Sequence, residues 1–275
     1  MSFMKEISSR DNQWVKLACS LKNKKGRQGS QRVFMEGFRL IEDAALSGIM
    51  DVQCFVSPDG RERQGFGELY ERGLSLGWEF FAVTDSVYDK LKDTQTPQGI
   101  AAILPYFEDT LATIGPLAPQ RPVLFLQSIQ DPGNLGTILR TAAAANAAAV
   151  FLSEDSVDLY NGKTLRSAMG AVFKIPVVQH VTDHDLAGFC SREGRQLIGT
   201  TPRGTCSYSA ADYSRPVVLA FGNEGNGLTD GFIDRCHTTV TIPMKAGTES
   251  LNLSMAVGLV LYKAWETHGF AEDRK

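Results

Sequence analysis

Three short segments in the second half of the chain carry side chains whose types and spacing suit chemistry. The first is Asp131-Pro132-Gly133-Asn134, with Arg140 six residues beyond the asparagine. Asp-Pro-Gly-Asn is a turn signature, and Asn134 could cap the helix that follows. Arg140 then falls on an otherwise small, apolar helix and stays charged, so it requires an anion or a carboxylate partner. Spacing alone leaves a structural salt bridge and a phosphate contact both open. The second segment is Gly222-Asn223-Glu224-Gly225-Asn226-Gly227-Leu228, after the apolar run Val217–Phe221. Open α/β sheets bind ligands at such turns, on the carboxyl edge of their strands. Its spacing is G-x-x-G-x-G rather than the dinucleotide pattern G-x-G-x-x-G, and Glu224 would set negative charge against a pyrophosphate. The third segment runs from Ile242-Pro243-Met244 to Ser250-Leu251-Asn252-Leu253-Ser254. Ser250 reads as a helix N-cap, whereas Asn252 has no propensity reason to lie inside an apolar helix start.

The elements that must position these residues follow from periodicity. Val123–Leu126 is a continuous apolar run, the mark of a strand buried on both faces. The alanine-rich Thr141–Ala149 predicts a helix. Val150–Leu152, Ile175–Val178, Gln196–Gly199, Val217–Phe221 and Val240–Ile242 predict strands, and a last helix spans about Ser250–His268. Strands alternating with helices imply a mostly parallel sheet covered on both faces. In the first half, Ser8–Leu21, Phe38–Leu46 and Gly67–Leu74 read as helices, Val52–Val56 and Ile100–Leu104 as strands: a second, smaller α/β unit. Between the halves Pro116, Pro119 and Pro122 crowd a short stretch and mark a linker.

Composition narrows the function. The 275 residues have the balance of a globular protein, and the five cysteines are scattered with no C-x-x-C pair, so reduced thiols are expected rather than zinc or disulfides. The opening Met1–Glu6 turns charged before an apolar stretch develops, and no run is long enough to span a bilayer, so neither secretion nor membrane insertion is expected. Net charge is −3, yet residues 1–40 hold nine basic and three acidic positions, a local +6. Basic charge gathered in one segment is the footprint of phosphate contacts; the plainer alternative is a solvated surface.

In order and spacing the three segments resemble the motifs of the SpoU/TrmH family of RNA ribose 2′-O-methyltransferases, within the knotted SPOUT superfamily. The matches are Asn-x-Gly-x-x-x-Arg at Asn134–Arg140, Gly-x-Glu-x-x-Gly-Leu at Gly222–Leu228, and Ser-Leu-Asn-x-Ser at Ser250–Ser254. Phe34–Ala44 and Thr94–Ile100 resemble the substrate-binding domain that precedes the SpoU domain. The resemblance implies a C-terminal SPOUT-type α/β domain with a deep trefoil knot, preceded by a small α/β RNA-binding domain resembling a ribosomal protein. The divisions are 1–105 for RNA binding, 106–120 for the linker and 121–275 for catalysis.

It further implies S-adenosylmethionine as cofactor, a sulfonium cation without phosphates. Catalytic roles fall to Asn134, Arg140, Glu224, Ser250 and Asn252; backbone near Gly222, Ile242, Met244 and Leu251 holds the cofactor. Expected partners are RNA, most of all large-subunit ribosomal RNA, and a second copy of the chain in a cytoplasmic homodimer, with no metal. Transfer RNA as substrate, or a non-catalytic RNA-binding protein on the same fold, are the alternatives. Where relatives carry Arg-x-Ser-x-Gly this chain has Arg166-Ser167-Ala168-Met169-Gly170, a serine displaced by one. Gly162-Lys163-Thr164 is not a P-loop, since the required first glycine is Val157. His180 and His184 lack a third ligand for a metal.

Overall fold

A computed structural model of the chain describes residues 4–248 and 250–271. It contains two compact units, Met1–Phe107 with Tyr160–Phe173, and Glu108–Leu159 with Lys174–Lys275. The segment Tyr160–Phe173, assigned from sequence to the second domain, groups instead with the first. Tyr160 stacks on Tyr106 at 3.9 Å between centroids, Phe173 packs on Phe107 at 4.8 Å, and Arg166 Nη1 meets Asp93 Oδ2 at 2.8 Å. These are contacts between distant positions, which periodicity does not reveal.

The first unit comprises β1 (Lys5–Ile7), α1 (Gln13–Ser20), α2 (Lys24–Ser30), β2 (Arg32–Glu36), α3 (Phe38–Leu46), β3 (Gln53–Val56), α4 (Pro58–Arg61), α5 (Phe66–Ser75), β4 (Glu79–Val83), α6 (Asp85–Leu91) and β5 (Ile100–Pro105). The strands form one sheet in the order β1-β4-β3-β5-β2, with β5 antiparallel to both its neighbours. Phe55 stacks on Phe81 at 5.7 Å within a core shared with Val15, Val87 and Leu91. The basic stretch is not one uniform surface. Arg27 is buried, its guanidinium donating to the carbonyls of Leu21 and Lys22 at 3.0 and 3.2 Å. Arg32 pairs with Asp51, Lys5 with Glu79 and Lys16 with Asp11. Lys22 donates to the Lys92 carbonyl. Arg10, Lys24, Lys25 and Arg39 stay exposed, with no ion pair among the described residues.

The second unit contains β6 (Val123–Leu126), α7 (Pro132–Ala144) and β7 (Ala149–Leu152). After α8 (Gly162–Ala168), which belongs to the first unit, come β8 (Val177–Val178), α9 (Asp183–Glu193), β9 (Gln196–Thr200), β10 (Cys206–Ser207), β11 (Val217–Phe221), α10 (Asp230–Ile233), β12 (Thr238–Thr241) and α11 (Leu253–Thr267). Its sheet is parallel throughout, in the order β10-β12-β9-β11-β6-β7-β8. All of β6 and β11 is buried, because alternate side chains enter opposite cores. On one face Phe125 stacks on Phe232 at 5.3 Å and Phe151 meets Phe189 edge-on at 4.9 Å. The other face lies under α7 and α11, which pack on each other.

Three helix boundaries differ from expectation, each for a physical reason. The helix predicted over Ser8–Leu21 is α1, which starts only at Gln13, because Asn12 Oδ1 caps it by accepting from the Trp14 N–H at 2.9 Å. The helix expected to follow Asn134 and run through Thr141–Ala149 is α7, which starts at Pro132 and stops at Ala144. Asn146 takes a left-handed φ of 54°, and Arg121 binds the Asn146 and Ala147 carbonyls at 3.1 and 2.7 Å, so the chain turns into β7. The last helix is capped by Asn252, not Ser250: Asn252 Oδ1 accepts from the Ser254 N–H at 2.9 Å. Replacing Arg27 with alanine should lower unfolding free energy by about 2 kcal/mol, since it orphans buried carbonyls. Lys24→Ala and Lys25→Ala should each stay within about 0.5 kcal/mol; urea titration of the three variants checks this ranking.

Candidate active site

Strands β6 and β11 are parallel neighbours, with Leu126 opposite Phe221, so the loops that follow them leave the sheet at the same edge. The chain order along the sheet reverses about this pair, which is where open α/β sheets form ligand crevices. After β11 the loop folds back sharply: Asn223 and Gly227 exchange two backbone hydrogen bonds of 3.1 and 2.9 Å. A Cβ on Gly222 would lie 2.0 Å from Gly227 C and Leu228 N, so only glycine fits.

This fold-back presents Glu224 to the loop after β6. Its Oε2 accepts from the Gln130 N–H and its Oε1 from the Asp131 N–H, each at 3.2 Å. The Asn134 side-chain amide donates to Oε1 at 3.1 Å. Asn134 Oδ1 in turn accepts from the Asn252 amide at 3.0 Å, which brings in the third segment. Asn134 is free for this because Asp131, not Asn134, caps α7, accepting from the Asn134 N–H at 2.8 Å. Burial pushes the Glu224 carboxyl up, but hydrogen bonds from Asn134, from its own backbone and from the Gln130 and Asp131 amides outweigh burial. The net effect holds it below its ordinary value.

The three segments enclose a cleft of about 580 Å³. Asn134, Gly222, Glu224, Ile242, Met244, Ser250, Leu251 and Asn252 all line it, together with Thr200, Thr241 and Ala256. Ser250 is exposed and makes no hydrogen bond among the described residues. The loop before it, read from sequence as Lys245–Glu249, is described as far as Thr248; Glu249 lies outside the described residues. Glu224 is the one charged side chain among the described lining residues, and neither lysine, arginine nor histidine is present.

Arg140 is not brought into this cleft. Six residues separate it from Asn134, about 600° of helical rotation, which sets the two about 120° apart around α7. Arg140 is exposed and has no carboxylate partner among the described residues, so the salt-bridge reading left open by the sequence finds no support. Sequence reasoning also missed the Gln130 and Asp131 amides, since backbone groups carry no residue signature. It missed the clamping role of Asn223 too. The Asn223 amide donates to the Ser128 carbonyl at 2.8 Å, while its Oδ1 takes the Gly225 and Asn226 amides. Its place between Gly222 and Glu224 was the available signal, as Asx side chains organise tight turns.

Because the folded-state pKa of Glu224 is depressed, its contribution to stability is fully present above its ordinary value of 4.5 and is lost as pH falls through the depressed value. The gap in Tm between the protein and Glu224→Gln should therefore hold steady above that value and close below it. Thermal unfolding across the acid range checks this, and a pH-independent gap would contradict it.

Residues 121–262 match the family model described as the SpoU rRNA Methylase family, and residues 12–102 match the MRM3-like substrate binding domain. The chain is 33% identical over 262 residues to the 23S rRNA (guanosine(2553)-2'-O)-methyltransferase RlmP of Bacillus subtilis (strain 168), covering 94% of this chain and 98% of that one. It is 27% identical to the 23S rRNA (uridine(2479)-2'-O)-methyltransferase of Streptomyces viridochromogenes, covering 94% and 91%. Among solved structures it resembles the AdoMet-bound rRNA methyltransferase from Sinorhizobium meliloti, with a TM-score of 0.86 and 29% identity over 96% of this chain and 98% of that one. With the matched region spanning every residue of the cleft described above, the chain belongs to the SpoU rRNA methylase family.

Proposed function

We propose that the chain methylates one ribose 2′-hydroxyl of large-subunit ribosomal RNA, using S-adenosylmethionine. The observation that carries this reading is the charge of the cleft: one carboxylate and no cationic side chain among its described lining residues. Such a site disfavours a phosphate-bearing nucleotide and suits a sulfonium cation, which Glu224 attracts through space. The backbone at Gly222, Ile242, Met244 and Leu251 would hold the adenosine and methionine parts, and the apolar faces of Ile242, Leu251 and Ala256 suit an adenine ring. When bound, the cofactor supplies an electrophilic methyl group. Both curated relatives described above are named for ribose 2′-O-methylation of 23S rRNA, one at guanosine and one at uridine. The exposed Arg10, Lys24, Lys25 and Arg39 supply phosphate contacts in the first unit.

The chain's own residues act by placement. The Asn252–Asn134–Glu224 relay of hydrogen bonds fixes the cleft wall against which the ribose must lie. The Ser250 hydroxyl is free to bind substrate there. Arg140 is a poor base, so its part is to hold the neighbouring phosphate and stabilise the developing alkoxide. Because Arg140 lies outside its own cleft, a second copy of the chain supplies it, and the active form is a two-fold homodimer. The stripe Met255, Leu259 and Tyr262 on α11 supports this, at 61%, 40% and 43% exposure, since a helix spends such side chains on a partner when its core face is already filled by Val257, Val260, Leu261 and Ala264. On the same reading the chain from Ser250 onward threads a loop to close a trefoil knot, and the enzyme works in the cytoplasm. Among the described residues no helix is long and apolar enough to cross a membrane.

Arg140→Ala should cut methyl transfer to ribosomal RNA at least about 100-fold, the cost of losing one stabilising donor, while calorimetry finds S-adenosylmethionine affinity within about twofold of the parent. Mixing these subunits with Leu251→Trp subunits, whose cleft is blocked, should restore part of the activity. Heterodimers that form yet recover none would refute the shared site.

A further inference from the structure

Behind the Asn134–Glu224–Asn252 relay lies another layer of polar side chains, and its principal member does not line the cleft. Ser128, in the turn after β6, has a left-handed φ of 57°. A non-glycine residue stays there only when its surroundings hold it. Four hydrogen bonds do so. The Ser128 N–H donates to Ser153 Oγ at 2.8 Å, and the Ser128 hydroxyl donates to Asp155 Oδ2 at 2.5 Å. The Ser128 carbonyl accepts from Asn223 Nδ2 at 2.8 Å and from Gln130 Nε2 at 3.2 Å. Asp155 gathers most of the remainder: its Oδ1 accepts from Ser153 Oγ at 2.7 Å, and its carbonyl accepts from Gln130 Nε2 at 2.9 Å. The Ser128 and Ser153 hydrogen bonds hold the Asp155 carboxyl below its ordinary value. Two and three residues past Ser128 come the Gln130 and Asp131 amides, whose 3.2 Å bonds to Glu224 leave little tolerance for a rotated turn.

We propose that Asp155 is a positioning residue for methyl transfer: through Ser128 and Ser153 it fixes the turn so that the Gln130 and Asp131 N–H groups face the Glu224 carboxylate. The proposal rests on the reading that Glu224 belongs to the active constellation. Asp155 touches neither the cleft nor Arg140; its effect passes to the reaction through the turn, chiefly by the Gln130 and Asp131 amides at Glu224 and secondarily by the Ser128 carbonyl that holds Asn223.

The test uses the full chain with S-adenosylmethionine and ribosomal RNA. Asp155→Ala should lower kcat roughly tenfold, the worth of one well-placed hydrogen bond to a charged group, with KM for RNA and affinity for the cofactor within about twofold of the parent. Ser128→Gly should do the same while folding normally, because glycine adopts this φ without strain. In the Glu224→Gln background both changes should lose most of their effect. A kcat equal to the parent's in both variants, or a loss that multiplies with that of Glu224→Gln, overturns the proposal. If Asp155→Ala does not fold, Ser128→Gly decides by itself. A Glu224→Gln enzyme with full kcat is a different failure, refuting the role of Glu224 and this inference with it.

Discussion

One carboxylate joins three parts of the chain that are far apart in sequence. Glu224 takes hydrogen bonds from the Gln130 and Asp131 amides and from Asn134, and Asn134 passes the connection on to Asn252. The relay is possible because β6 and β11 are adjacent and parallel in register, so their following loops meet over one sheet edge. It also depends on Gly222, where any side chain would collide with the returning backbone of Gly227 and Leu228. Remove the glycine and the carboxylate is no longer delivered to its donors.

The polar residues of the site divide their atoms between folding and function. Asp131 caps α7 and so releases the side chain of Asn134 for the relay. Asn252 serves both purposes at once: Oδ1 caps α11 by accepting from Ser254, while Nδ2 reaches Asn134. A cleft built this way is held by neutral amides and one anion, and that electrostatic character separates it from nucleotide-phosphate sites, which need amide nests or cations.

Much of this was legible in the sequence, and the reasons differ by element. The buried strands Val123–Leu126 and Val217–Phe221 show as unbroken apolar runs, and they were predicted at the bounds observed. The resemblance in motif order and spacing led to the SpoU family, and eight of the nine site residues it implied line the cleft. Which residue caps which helix was misread at Ser250, because serine and asparagine two positions apart are equally good caps and only the backbone path chooses. The alanine-rich helix is expected to run on to Ala149, since propensity favours alanine throughout, while the stop at Ala144 comes from Arg121, far upstream. Lys5–Ile7 is too short to leave a pattern, whereas its partner Glu79–Val83 carries the apolar run Phe80–Val83, a strand signal the periodicity reading passes over. Arg27 was counted with the surface charge, although it is spent on internal carbonyls. At Ala144 and Arg27 a tertiary contact overrides a local preference.

Mapping ribose 2′-O-methylation across the ribosomal RNA of cells with and without this gene tests the proposed reaction. One 2′-O-methyl position in the large-subunit RNA should disappear when the gene is removed, and return with the intact gene but not with one encoding Arg140→Ala. An unchanged methylation map, or a loss confined to base methylation, would contradict it.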